Sequence, residues 1–154
     1  MSIVESKLED LGLRLPAAPK PVGAYVPAVT SRGQVIVSGQ LPVRGGSLMS
    51  TGKVPSEVSV EDALSAAQRC VLNGLAALKA ELDGDLSRLV RIVRIGVFVQ
   101  SDDDFFAQPQ IANGASDLLL ELLGDAGRHA RAAVGVNALP LNAPVEIEFT
   151  FEVD

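Results

Sequence analysis

Arg131 and Glu146 are the two side chains whose type and spacing most directly suggest chemistry. Arg131 stands in His129-Ala130-Arg131-Ala132-Ala133-Val134-Gly135-Val136, at the mouth of an apolar run with strand character. Glu146 opens Val145-Glu146-Ile147-Glu148, after the proline-bearing turn Ala138-Leu139-Pro140-Leu141. A guanidinium is a rigid planar fork of N–H donors that matches a carboxylate through two parallel hydrogen bonds. A carboxyl group in a partly dry pocket gains proton affinity and can then act as general acid or base, or position a water. Around one small pocket, the pair suits a substrate that carries its own carboxylate. Each residue also has a plainer reading, Arg131 as a solvated arginine beside Arg128 and Glu146 as part of a wet face with Glu148 and Glu152.

Tyr25, the only tyrosine, can stack on a ligand or hydrogen-bond to it, or can pack at a strand rim with its hydroxyl in water. Asn113 and Ser116 fall on one predicted helix, where a helix-to-strand or intersubunit hydrogen bond is the expected role. Cys70 lies mid-helix on an apolar stripe and reads as core, while His129 is placed in a polar loop, so the two do not form a nucleophile and base pair. With one histidine in the chain, no His-rich metal site is available, and no metal is predicted.

The elements that must position these residues follow from hydrophobic periodicity. Ser2 with Glu5 has capping-box spacing, and Val4, Leu8 and Leu11 share a face, so residues 2 to 12 read as a short helix stopped at Gly12. Residues 13 to 22 are expected to be loop because of Pro16, Pro19 and Pro21. Residues 22–29 and 34–38 form two β-prone runs joined by the turn Ser31-Arg32-Gly33. Gly39, Gly45-Gly46 and Thr51-Gly52 mark a long irregular connection; they match neither a GxGxxG nor a Walker pattern. A helix of about six turns starts near Ser59 on Leu64, Ala67, Val71, Leu75, Leu78 and Leu82.

Residues 89–100 read as the middle strand of the sheet, covered on both faces. The triplet Asp102-Asp103-Asp104 is expected to cap a second helix, with Pro109 in its first turn and Gly124 and Gly127 closing it. Residues 132–137 form a strand. Residues 145–153 alternate strictly, Val145, Ile147, Phe149, Phe151 and Val153 against Glu146, Glu148, Thr150 and Glu152. The layout is α+β, a mixed sheet with two main helices on one face, whose other face still needs cover. Residues 1–154 are read as a single domain, with 1–15 an amino-terminal extension.

The 154 residues can bury a core without staples, and 47% hydrophobic content with 4% aromatics predicts one built from Val, Leu, Ile and Ala. Mean hydropathy of +0.28 leaves apolar surface for self-association. A net charge of −6 and a pI near 4.7 disfavour nucleic acid as a partner. One cysteine and an amino terminus without a basic head or long apolar run point to the cytoplasm, and no apolar segment reaches bilayer-spanning length.

Several segments together resemble the RidA (YjgF/YER057c/UK114) family, in a longer branch. They are Gly23-Ala24-Tyr25, Ser38-Gly39-Gln40-Leu41-Pro42, Thr51-Gly52, Val97-Phe98-Val99, Asn113, Arg131-Ala132-Ala133-Val134, Leu139-Pro140 and Val145-Glu146-Ile147-Glu148. The resemblance implies a chorismate mutase-like subunit, three of which form a barrel-like core from their sheets, with helices outside and a ligand cleft at each interface. It implies cofactor-free hydrolysis of small 2-imino acids to 2-keto acids and ammonia. By the same resemblance Arg131 binds the substrate carboxylate, Glu146 handles the attacking water, Tyr25 lines the pocket, and Gly39 lines it with backbone. Asn113 and Ala133 complete the lining. Ala133 stands where the family often has cysteine, Ala24 where it has proline, Asn113 lies one residue further from Arg131, and a glycine-bearing loop spans Arg44 to Ser50. A trimer that binds small carboxylates without turnover is the alternative, and an endoribonuclease is disfavoured by the single histidine and the acidic charge.

Overall fold

The computed structural model describes residues 1–20 and 23–154. Helix α1 (Ile3–Asp10) begins with the predicted capping box: Ser2 Oγ accepts from the Glu5 amide at 3.2 Å, and the Glu5 carboxylate accepts from the Ser2 amide at 2.9 Å. Val4 and Leu8 are buried, and Gly12 follows at φ +70°. Residues 13–20 are irregular as expected; Pro21 and Val22, which the predicted loop and the first predicted strand also included, lie outside the described residues.

Strand β1 (Ala28–Ser31) is shorter than the β-prone run suggested. Residues 23–27 stay irregular, ending at Pro27, which has no amide to donate to a ladder. The turn to β2 (Gln34–Gln40) is a two-residue hairpin with Arg32 at φ 49° and Gly33 at φ 75°, and Ser31 pairs with Gln34 across it. The connection predicted as irregular holds a second hairpin, β3 (Val43–Arg44) and β4 (Ser47–Leu48), turned on Gly45 and Gly46 at positive φ.

Helix α2 (Val60–Glu81) is capped by Ser59, whose Oγ accepts from the Asp62 amide at 3.1 Å. Strand β5 (Leu89–Gln100) has the predicted bounds. Helix α3 (Gln108–Leu123) starts later than the aspartates suggested. Asp102 instead accepts from the Ser56 amide and hydroxyl, both at 2.9 Å, and tethers the loop before α2; the α3 cap is Ala107, without a side-chain bond. Pro109 does occupy the first turn, and Gly124 closes the helix at φ 58°.

Strands β6 (Ala130–Val136) and β7 (Val145–Val153) complete a mixed sheet in the order β1-β2-β7-β5-β6. Only the β5–β6 pair is parallel. The central strand is therefore β7, with β5 beside it, and β6 is an edge. Both long helices cover one face, α2 over β1, β2 and β7 and α3 over β5 and β6. On β7 the alternation is realised, every odd residue from Val145 to Val153 being buried against the helices. The core is aliphatic apart from Phe149 and Phe151, which stack at 5.6 Å between centroids. Cys70 is buried within it, and burial pushes its thiol above the ordinary value, which leaves a protonated, inert core side chain.

Among the described residues no element covers the second sheet face, so β5 is not covered on both sides. Val29, Ile36 and Val134 lie there 49%, 50% and 44% exposed, among Arg94, Thr150 and Glu148. Among the described residues no helix is long and apolar enough to cross a membrane.

Two packing features give direct tests. Gly74, inside α2, lies against Phe149, so a Cβ there would fall 2.5 to 3.0 Å from three ring atoms. Gly74→Ala is expected to destabilise by about 1–3 kcal/mol of overpacking, outweighing the ~1 kcal/mol by which alanine favours a helix, as read by urea unfolding. The second feature ties α1 to α2: Lys79 Nζ donates to Glu5 Oε1 at 2.6 Å. That bond, with the Ser2 amide, holds the Glu5 carboxyl down to about 2. A depressed carboxyl value stabilises the fold above its ordinary value near 4.5, and this stability is lost as pH falls toward 2. Glu5→Gln is expected to flatten acid unfolding in that window; an unchanged acid limb would show the pair contributes nothing.

Candidate functional site

The structure places the predicted site residues in two groups. The first is built on β6. Arg131 is the second residue of that strand and pairs with Ile95, which is fully buried on the helix side. Its side chain accordingly points to α3, where Nη1 donates to Asn113 Oδ1 at 2.8 Å and to Ser116 Oγ at 3.2 Å. Asn113 and Ser116, three apart on a helix, share the face turned to β6. The helix-to-strand hydrogen bond expected of them is thus made to Arg131. Both Nη1 hydrogens are taken, while Nε and Nη2 have no protein acceptor among the described residues. That edge presents two parallel N–H groups, the geometry that grips a carboxylate bidentately. Ala133, on the same side of β6, packs against the core. Ser116, Leu120, Arg128, His129 and Arg131 line a small pocket of about 200 Å³.

The second group surrounds Glu146. This residue lies between buried Val145 and Ile147 and opposite Phe98, so it projects from the open face. It is half-buried, and burial first, then the neighbouring Glu148 carboxylate, raises its proton affinity above the usual carboxylate range. Glu148 itself pairs with Arg94 at 3.1 Å. The ladder of β2 on β7 is irregular between Val37 and Gln40, and Gly39 there presses on Glu146: a Cβ at this position would stand 2.9 Å from the Glu146 carboxyl carbon. Glycine leaves room there for the Glu146 carboxyl, which a side chain at this position would push aside.

Gly39 also borders a cleft of about 730 Å³, lined by Tyr25, Leu41, Arg69, Asn73 and Leu141 among others. Asn73 Nδ2 donates to the Leu41 and Val43 carbonyls at 2.9 and 3.1 Å, and Arg69 Nε to the Val43 carbonyl at 2.8 Å, fixing the strand that walls the cleft. The Leu139-Pro140 turn is pinned by Gln100, which accepts from the Leu139 amide and donates to Asn142 Oδ1, both at 2.7 Å. This leaves Leu141 exposed at the cleft, at φ 58°.

Within one chain the guanidinium and the acid are therefore not around one pocket. Arg131, Asn113 and Ala133 face the helix side at one sheet edge, and Glu146 faces the other side, with β5 between their strands. Arg69 and Asn73 were missed as cleft residues, although two polar side chains four apart in the otherwise apolar stripe of α2 were a readable signal. His129, assigned to a polar loop, is half-buried and bonded to Ser116. Among the described residues no cluster of three His, Cys, Asp or Glu side chains could hold a metal.

A mixed five-stranded sheet with two helices on one face and an arginine on its edge strand defines the class of fold to which the chain belongs. The family described as "YjgF/chorismate mutase-like, putative endoribonuclease" matches residues 5–152. The chain belongs to this YjgF/RidA family. It is 43% identical over 152 residues to Protein TCP17 of Trypanosoma cruzi, covering 98% of this chain and 94% of that one. It is 31% identical over 134 residues to the 2-iminobutanoate/2-iminopropanoate deaminase of Dermatophagoides farinae, covering 86% and 88%. The crystal structure of Atu1372 from Agrobacterium tumefaciens, a protein of unknown function, superposes with a TM-score of 0.93 at 45% identity, covering 99% of this chain and 93% of that one.

Proposed function

We propose that the chain is a cofactor-free deaminase of small 2-imino acids whose site is completed between neighbouring subunits of a homotrimer. Arg131, with Asn113 and Ala133, comes from one subunit; Glu146, with Gly39 and Tyr25, comes from the next. The observation that carries this reading is the division of the residues: a clamp with an open bidentate edge on one side of the sheet, and an acid with raised proton affinity on the other. The exposed Val29, Ile36 and Val134 on the uncovered sheet face support assembly through that face.

The chemistry asks little of the protein. An iminium carbon is already electrophilic, so holding the carboxylate and aligning a water supplies most of the catalysis. Glu146 takes a proton from the water as its oxygen bonds to C2. The proton passes to the nitrogen of the tetrahedral adduct, and the C–N bond breaks as the adduct hydroxyl gives its proton to Glu146 and becomes the carbonyl, so that ammonia leaves a 2-keto acid. Water supplies the oxygen, and no oxidant or covalent nucleophile is needed. The cleft beside Gly39, walled by the β3–β4 hairpin, supports a second reading in which the trimer retains small carboxylates without turnover. We assign the activity to the cytoplasm on the single, buried thiol.

The test supplies 2-imino acids from an amino acid oxidase and follows keto-acid release, with the mass in solution measured by light scattering. Release faster than in buffer from a trimer is expected. Saturable binding of 2-ketobutyrate without turnover would favour the second reading, and a monomer would end the shared-site proposal.

A further inference from the structure

We infer that Ser116 and His129 are positioning residues that hold the Arg131 fork in place, an inference that rests on the reading of Arg131 as the carboxylate clamp. His129 Nδ1 lies 2.6 Å from the Gly127 carbonyl oxygen. A carbonyl only accepts, so Nδ1 carries the hydrogen, and in the neutral ring Nε2 is then an acceptor. Ser116 Oγ stands 2.9 Å from Nε2 and donates its single hydrogen there. With its hydrogen committed, that oxygen turns its lone pairs to Arg131 Nη1 at 3.2 Å. The relay runs from Arg131 to Ser116 to His129 to the Gly127 carbonyl, each hydrogen having one acceptor. Together with Asn113 Oδ1 it occupies both hydrogens of Nη1 and sets the guanidinium plane, so that the Nε–Nη2 edge is the one left for substrate.

The anchor of the relay is rigid. Gly127 is buried against α3, and a Cβ there would lie 2.8 Å from the Leu119 carbonyl carbon and 3.0 Å from Leu120 Cα, backbone atoms that cannot yield. Glycine therefore lets the carbonyl that fixes the imidazole tautomer sit where it does. Ser116 is only 8% exposed, which keeps water from competing for its hydroxyl. The relay makes no contact with the Glu146 group, so it acts on substrate binding and not on the water.

His129 is the only histidine, so the nitrogen-15 imidazole resonances of the labelled whole protein need no assignment. They are expected to report the Nδ1–H tautomer, and Ser116→Ala is expected to shift the Nε2 resonance, which loses its hydroxyl partner, while Nδ1 stays protonated against the Gly127 carbonyl. In the same protein Ser116→Ala and His129→Leu are expected to raise KM for the imino acid, and Kd for 2-ketobutyrate, about tenfold with kcat changed by less than about twofold. Ser116→Thr, which keeps the hydroxyl, is expected to bring KM back toward wild type. An Nε2–H tautomer, or wild-type KM and Kd in folded Ser116→Ala, overturns the relay. Arg131→Ala measured alongside separates the two readings. If it is inactive while Ser116→Ala behaves as wild type, only the relay fails; if it retains wild-type kcat/KM, the clamp itself is wrong.

Discussion

Arg131→Ala is expected to lower kcat/KM for a small 2-imino acid on the order of 10²- to 10⁴-fold, with the fold and the assembly intact. The size follows from the open Nε–Nη2 edge: two charge-assisted hydrogen bonds to the substrate carboxylate, each worth about 1.5–3 kcal/mol, disappear together. Part of the loss falls on kcat, because a substrate held by its carboxylate is also aimed at the water. Stability should change little, since removing the exposed side chain breaks one exposed bond to Asn113 and one part-buried bond to Ser116, whose hydroxyl keeps its contact with His129, and exposes no core. Arg131→Lys tests the geometry apart from the charge. Lysine keeps the cation but not the fork, so it is expected to remain well below wild type. Steady-state kinetics with thermal unfolding as the control checks both, and wild-type kcat/KM in Arg131→Ala would remove the clamp.

Glu146→Gln carries the second large effect, a fall in kcat on the order of 10²- to 10⁴-fold, the range for loss of a general base. KM should change far less than with Arg131→Ala, because the acid meets the water and not the carboxylate. The pH dependence has a definite sign. Burial, and secondarily Glu148, raise the Glu146 value, and the base works only when ionised, so the acid limb of kcat lies above the ordinary carboxylate range and activity falls as pH drops through it. Glu148→Gln removes the second cause and is expected to move that limb downward.

For stability the sign is opposite to that of Glu5. A carboxyl group whose folded value is raised stabilises the fold when protonated, below its ordinary value, and that contribution is lost as pH rises through the raised value. At neutral pH Glu146→Gln is therefore expected to be no less stable than wild type, while nearly inactive. A destabilised, inactive variant would mark Glu146 as structural.

Much of the fold is legible in the amino-acid sequence, and what is not has physical causes. The β7 alternation gave its register because one face is dry and the other wet, a contrast a single sequence displays directly. The α2 stripe and the Ser2 and Ser59 caps were legible for similar reasons. The β6 faces were not: Ala132-Ala133-Val134-Gly135-Val136 has no polar alternation, so nothing showed that Arg131 turns toward the helices while Glu146 turns away. Proximity in sequence then suggested one pocket for two residues whose strands are separated by β5. The aspartates before α3 misled because Asp102 satisfies Ser56 instead of a helix end. The Ser116–His129 contact brings together a helix face and a loop, which no local pattern announces.

The most direct measurement is a mixing experiment on two inactive variants. Arg131→Ala and Glu146→Gln are purified separately, dissociated, mixed in equal amounts and reassembled. If each site takes its arginine from one subunit and its acid from the next, about one seam in four receives both intact groups by chance, and roughly a quarter of wild-type activity returns. If both groups serve a site within one chain, every site in the mixture carries one defect and no activity returns. Recovery near a quarter is the predicted result; its absence, with reassembly verified, would contradict the shared site.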